Sequence, residues 1–177
     1  MFSMLDPRWA DVQIGNSTVR MRVGGSLICC LAEVLRYEQP LYDPATLNRW
    51  LAQRGGYDPK SYMLVGDPLR LLGLNAVRPC DELGKISMSA LYQALGKRQN
   101  VLIAVSRLQT LRTPWVWLRV LGVWKNDFFC DDFLCHDPTL PPDFQEPVRL
   151  LPRYARPNQK LEDVIVDAAV IEWITSE

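Results

Sequence analysis

The chain has 177 residues, 48% of them hydrophobic and 23% charged, with a formal net charge of zero, the balance expected of one globular domain around a single core. Basic residues such as Lys97, Arg98, Arg107 and Arg112 are scattered, which argues against the clustered basic face of a nucleic-acid binder. The longest apolar run, near residues 26–35, is too short to span a bilayer, and the start around Asp6-Pro7-Arg8-Trp9 has neither the basic nor the apolar region of a secretory signal.

Residues 1–10 read as an extended arm anchored by Trp9, and Ile14-Gly15-Asn16-Ser17 as a turn. Val19, Met21 and Val23 alternate with Arg20 and Arg22, which predicts a short extended segment. Gly24-Gly25 breaks it, with Ser26 as the expected N-cap of a helix over 27–37 that is apolar on most sides. Asp43 and Pro44 open a second helix, as N-cap and first helical residue. Leu47, Trp50 and Leu51 repeat at helical spacing, and Gly55-Gly56 stops the run. Asp67-Pro68 opens a short helix with Leu69, Leu71 and Leu72 inside, ended by Gly73. A further helix over 87–95 is ended by Gly96.

The second half changes to β patterning. Residues 100–105 read as a buried strand and 115–123 as another, rich in aromatic and β-branched residues. Asn126-Asp127 is a hairpin turn leading to strands at 128–130 and 133–136, and Asp137-Pro138 ends the run. The proline-rich stretch 137–147 reads as a surface loop. Residues 148–151 and 164–174 supply the last strands or edge segments. Helices followed by an antiparallel sheet define an α+β fold, expected as a single domain over 1–177.

The five cysteines are Cys29, Cys30, Cys80, Cys130 and Cys135. An odd number without a secretory signal argues against a disulfide framework. Cys29 and Cys30 read as small core residues of the apolar helix. Cys130, Cys135 and His136 are spaced unlike paired zinc ligands, so neither a metal nor another cofactor is expected. Trp115, Trp117 and Trp124 lie in or beside one hairpin; any that the core does not absorb would form an apolar patch for a partner.

Over about residues 4–140 the chain resembles the papain-like cysteine peptidases, in particular the branch that processes bacteriocin leaders. Met4-Leu5-Asp6-Pro7-Arg8-Trp9 is similar to that branch's opening Gln-x-Asp-x-x-Trp, and Gly25-Ser26 stands where a Gly-Cys turn enters an apolar helix. Pro44-Ala45-Thr46-Leu47-Asn48-Arg49-Trp50-Leu51 and Gly55-Gly56-Tyr57 resemble a helix and its stop. The segment from Val116 to Gly122, then Asp137-Pro138, resembles the strand, hairpin and Asp-Pro that follow. The resemblance implies a papain-like fold, with N-terminal helices and a central buried helix packed on a C-terminal antiparallel sheet.

It also implies where chemistry would sit, and those positions are degenerate. Met4 replaces the oxyanion-stabilising glutamine, Ser26 the nucleophilic cysteine and Val116 the general-base histidine; only the orienting acid, Asp137, is kept. A hydroxyl without a base is a poor nucleophile. Cys29 and Cys30 follow Ser26 by one turn, about 5 Å deeper along the helix. His136 and Asp137, if on one strand, point to opposite faces.

The expectation is a pseudoenzyme: a catalytically inactive peptidase-like domain serving as a structural or protein-binding subunit of a larger assembly. A phage tail or baseplate is the suggested setting. Other protein subunits are the expected partners, with neither nucleic acid nor membrane insertion, and synthesis is expected in a cytoplasm, with incorporation into a virion. The alternative is an active cysteine hydrolase of peptide or cell-wall bonds, with a rearranged site using Cys29 or Cys30 with His136 and Asp137. A third reading is regulation of a related peptidase, or peptide binding in the former cleft.

Overall fold

Apolar residues in the second half of the chain build five strands of a six-stranded sheet in the computed structural model, which describes residues 1–58, 68–106, 115–125 and 131–174. The strands are β1 (Leu74–Val77), β2 (Asn100–Ser106), β3 (Trp115–Trp124), β4 (Asp132–His136), β5 (Val148–Arg149) and β6 (Ile165–Trp173), in the spatial order β1-β6-β2-β3-β4-β5. β2 pairs antiparallel with β3 and β6, β3 with β4, and β4 with β5. The helices of the described residues are α1 (Met21–Gly24), α2 (Ser26–Leu35), α3 (Pro44–Gln53), α4 (Pro68–Leu71), α5 (Met88–Gly96), α6 (Leu150–Tyr154) and α7 (Leu161–Val164). The fold is α+β. By Cα proximity the chain forms two compact units: the first is Met1–Leu74, Pro138–Gln145 and Ile174–Glu177, the second Asn75–Asp137 and Glu146–Trp173.

In the second unit, strand periodicity decides which side chains join one apolar cluster. Val101, Ile103 and Val105 of β2 stand opposite Val120, Leu118 and Val116 of β3. All six join one apolar cluster with Phe133 and Cys135 of β4 and Ile165, Ala168 and Val170 of β6. Helices α5, α6 and α7 cover it with Leu91, Leu150, Tyr154, Leu161 and Val164. Phe133 is fully buried and meets Tyr92 edge to face, with ring centroids 5.6 Å apart. Burying a side chain of this size contributes roughly 1.5–3 kcal/mol.

A five-residue helix has no stability of its own, and α6 is held at both ends by carboxylates of the β4 segment. Asp132, fully buried, accepts from the backbone N–H of Leu151 at 3.0 Å and from Arg149 Nε at 3.1 Å. It thereby satisfies one of the orphan donors of the first turn from another element. Asp137, also fully buried, accepts from Arg153 Nε and from the Tyr154 hydroxyl, the latter at 2.7 Å.

The close of α5 departs from the sequence expectation. Gly96 is the last helical residue, but the left-handed position falls on Arg98, at φ +59°. Gln99 N–H donates to Ala94 O and Arg98 N–H to Leu95 O, both at 3.0 Å. That is the Schellman pattern, and its left-handed residue is usually glycine. An L-residue there costs about 1–2 kcal/mol.

In the first unit the expected helices over 27–37 and from Pro44 are found as α2 and α3, which pack together. Asp43 caps α3 by accepting from Thr46 N–H at 2.7 Å. Other expectations are corrected. Residues 1–10 form successive turns rather than an extended arm, although Trp9 is its buried anchor. Met21–Gly24 is a helical turn, not extended. Met21 and Arg22 N–H donate to the carbonyls of Val12 and Ala10, and Gly25 N–H closes an i to i−4 bond on Met21 O, so backbone pairing overrides side-chain alternation. Leu71 is 69% exposed instead of inside. β1 was not foreseen, since its four residues are too few for a period. Residues 150–154 continue from β5 as a helix. The hairpin turn at Asn126-Asp127, the strand at 128–130 and the Asp67 cap lie outside the described residues.

Asp132→Ala and Asp137→Ala are each expected to destabilise the protein by about 2–3 kcal/mol, the cost of losing charge-assisted bonds at a buried site. Because both act on α6, the double variant should lose less than the sum in urea unfolding.

Candidate functional site

Each of the four positions marked by the resemblance is occupied by a side chain with a packing or hydrogen-bonding task. Met4 is 1% exposed, and its N–H donates to Pro138 O at 2.8 Å. Beside it, Ser3 Oγ hydrogen-bonds the Pro138 and Leu140 carbonyls, and Trp9 Nε1 donates to Ser3 O at 2.7 Å. The N-terminal segment is thus tied to the proline-rich stretch. Asp6, of the same opening motif, accepts from Arg8 Nε, Nη2 and N–H. The side-chain hydrogen bond from Arg8 holds its carboxyl below the usual carboxylate range.

Ser26 was expected as an N-cap. The cap is Gly25, at φ −80° and ψ 4°, and Ser26 is the first helical residue, 5% exposed. Gly25 is needed for close approach rather than for a left-handed turn: a Cβ there would lie 2.6 Å from Met21 O. Nine of the ten residues of α2 are buried, Cys29, Cys30 and Glu33 among them. Glu33 faces the Arg36 guanidinium at 3.5 Å.

Val116 is 2% exposed and belongs to the apolar cluster beneath α5, α6 and α7. A histidine there would be desolvated among hydrocarbon. Asp137, which the resemblance would make the orienting acid, is the carboxylate that binds Arg153 and Tyr154. Met4 and Ser26 fall in the first unit, Val116 and Asp137 in the second. His136 is set opposite Arg119 on β3, whereas Cys135 and Asp137 turn toward the cluster and α6. The two neighbours therefore face opposite ways, as strand alternation requires.

The motif residues of α3 and its stop converge on a buried polar centre that the sequence reading missed. Asn48, 4% exposed, accepts from Gly15 N–H at 3.0 Å and from the Tyr57 hydroxyl at 2.8 Å, and donates to Gln13 O at 2.8 Å. Gly15 is at φ +53°, and a Cβ there would lie 2.6 Å from the Tyr57 ring. Burial pushes the Tyr57 hydroxyl well above its ordinary pKa. The available signal was Asn48 itself, a weak helix former within an apolar helical stripe.

The thiols differ in accessibility. Cys29, Cys30 and Cys135 are buried and Cys80 is exposed. Burial raises the Cys29 thiol far above its ordinary pKa, and the charges of Asp6 and Glu33 add to the shift. Cys135 is raised in the same way by burial and by Asp132 and Asp137. A thiol kept protonated is neither a nucleophile nor a metal ligand. Among the described residues no group of three or more His, Cys, Asp or Glu is placed to hold a metal ion, and Cys130 lies outside them. No helix of the described residues is long and apolar enough to cross a membrane. No protein-family model matches the chain, and no curated protein or solved structure is significantly similar to it.

Asn48→Ala should cost about 2–4 kcal/mol in chemical denaturation, because it strands a buried N–H, a carbonyl and a hydroxyl. Tyr57→Phe removes one neutral hydrogen bond and should cost about 1 kcal/mol. With iodoacetamide at neutral pH, Cys80 should label in the native state, and Cys29, Cys30 and Cys135 only after unfolding, as read by peptide mapping. Fast native labelling of Cys29 or Cys30 that disappears in His136→Ala would support a rearranged hydrolase.

Proposed function

We propose that this chain is a non-catalytic, peptidase-like domain that works as a structural or protein-binding subunit of a larger assembly. The observation that carries the reading is the engagement of Asp137, the one frame group retained, as a fully buried brace for α6. An acid bound by a guanidinium and a phenol within its own unit is a structural carboxylate. The apolar replacements Met4 and Val116 support the same reading, because both are buried. The papain-like frame rests on the sequence motifs, and a virion tail or baseplate remains the proposed setting.

Protein binding has its own support on β3. Trp115 is 47% exposed, Trp124 43% and Leu121 40%. Exposed tryptophans are the side chains most enriched among the anchors of protein interfaces.

The test combines turnover with assembly. Purified protein should hydrolyse neither denatured casein nor peptidoglycan, and it should sediment with the native particle in fixed stoichiometry. Trp115→Ala with Trp124→Ala should weaken that association by about tenfold or more, as loss of hot-spot side chains does. Turnover abolished by a single side-chain substitution would overturn the reading, and so would monomeric behaviour in the native extract.

A further inference from the structure

Two backbone irregularities of the second unit converge on one small cavity. The first is Arg98, held at φ +59° where the close of α5 would accept glycine without strain. The second is in β3. Its pairing with β4 shifts register between Val120 and Gly122, which leaves Leu121 as an extra residue in that ladder. Such bulges redirect side chains and are common beside sites. The cavity between these features has a volume of about 170 Å³ and is lined by Arg98, Arg119, Gln99, Asn100 and the apolar Leu95 and Val120, together with Leu121.

The lining carries two guanidinium groups and two carboxamides, and no carboxylate. Asn100 Oδ1 accepts from Arg119 Nη2 at 2.9 Å, which fixes the Arg119 fork. Gln99 Nε2 is held by Glu172 at 2.5 Å. The negative end of α5 explains one cation after the helix, and Lys97 already supplies it as the C-cap residue. The dipole therefore does not account for a second cation in a strained conformation. Strained residues persist where their side chains have a task.

We propose that this cavity binds a small oxyanion, a carboxylate or a phosphate, with Arg98 and Arg119 as its cationic contacts. Guanidinium forks match the planar geometry of such groups and can bind them with two parallel hydrogen bonds. The oxyanion has two conceivable sources, a free small molecule or an acidic side chain of a partner protein. The site is independent of whether the domain is catalytic.

The experiment titrates the folded full chain with inorganic phosphate, with acetate and with a capped Glu-rich peptide, following the backbone amides of Arg98 and Gln99 by NMR. Saturable shifts with a Kd on the order of 1 mM or tighter are expected for at least one probe. Saturation by phosphate or acetate assigns a free anion, and saturation by the peptide alone assigns a partner's carboxylate. R98G should lose affinity at least tenfold while raising the melting temperature, because glycine relieves the left-handed strain. R119K should weaken binding severalfold by removing the fork. No saturable shift with any probe would overturn the proposal, as would R98G binding as tightly as the wild type. An equal response to sodium chloride, which marks screening alone, would do the same.

Discussion

The two carboxylates that bracket β4 govern the second unit. Asp132 and Asp137 are both fully removed from solvent, and each is satisfied by groups of α6 or of the residue that enters it. A buried charge is tolerated only when it is paired and hydrogen-bonded. Here the requirement runs in both directions. The carboxylates need the helix for their partners, and the helix, too short to persist alone, needs the carboxylates. Leu150 and Tyr154 of that helix then complete the apolar cluster over β2, β3, β4 and β6.

The first unit shows the same logic with neutral groups. Asn48 joins α3, the turn at Gly15 and the phenol of Tyr57 through three hydrogen bonds. Gly15 has no room for a side chain against that ring. The Pro-x-x-Leu-Asn motif and the Gly-Gly-Tyr stop, which carried part of the family resemblance, therefore have a structural explanation that needs no catalysis. Motif residues of this kind keep a scaffold in place whether or not chemistry is done on it.

For the candidate site, identity was legible and environment was not. That the side chains of Met4 and Val116 carry no acid, base or nucleophile follows from their atoms, and that Ser26 would need a base follows from its hydroxyl. That Val116 is packed in hydrocarbon follows from strand register, and that Asp137 is tied to Arg153 follows from a contact across sixteen residues. The Asp-Pro pair reads as a strand end because both residues favour turns locally. Its larger role depends on a helix whose short span and internal Pro152 hide it from periodicity.

Local order is legible at several single residues, although Ser26, an N-cap by residue type, is the first helical residue instead. Asp43 with Pro44 starts a helix, and Gly55 and Gly73 take left-handed conformations after helices, at φ +66° and +74°. The β2 strand follows from an unbroken apolar run and β3 from aromatic and β-branched residues. Failures came where backbone hydrogen bonding, local or to another segment, sets the conformation. Met21–Gly24 alternates like a strand but is wound by backbone bonds to Ala10 and Val12. Arg98, not Gly96, takes the left-handed turn because the hydrogen-bonded close of α5 places that position two residues later. Propensity and pattern act over a few residues, whereas burial, register and the pairing of charges arise only when separate segments meet.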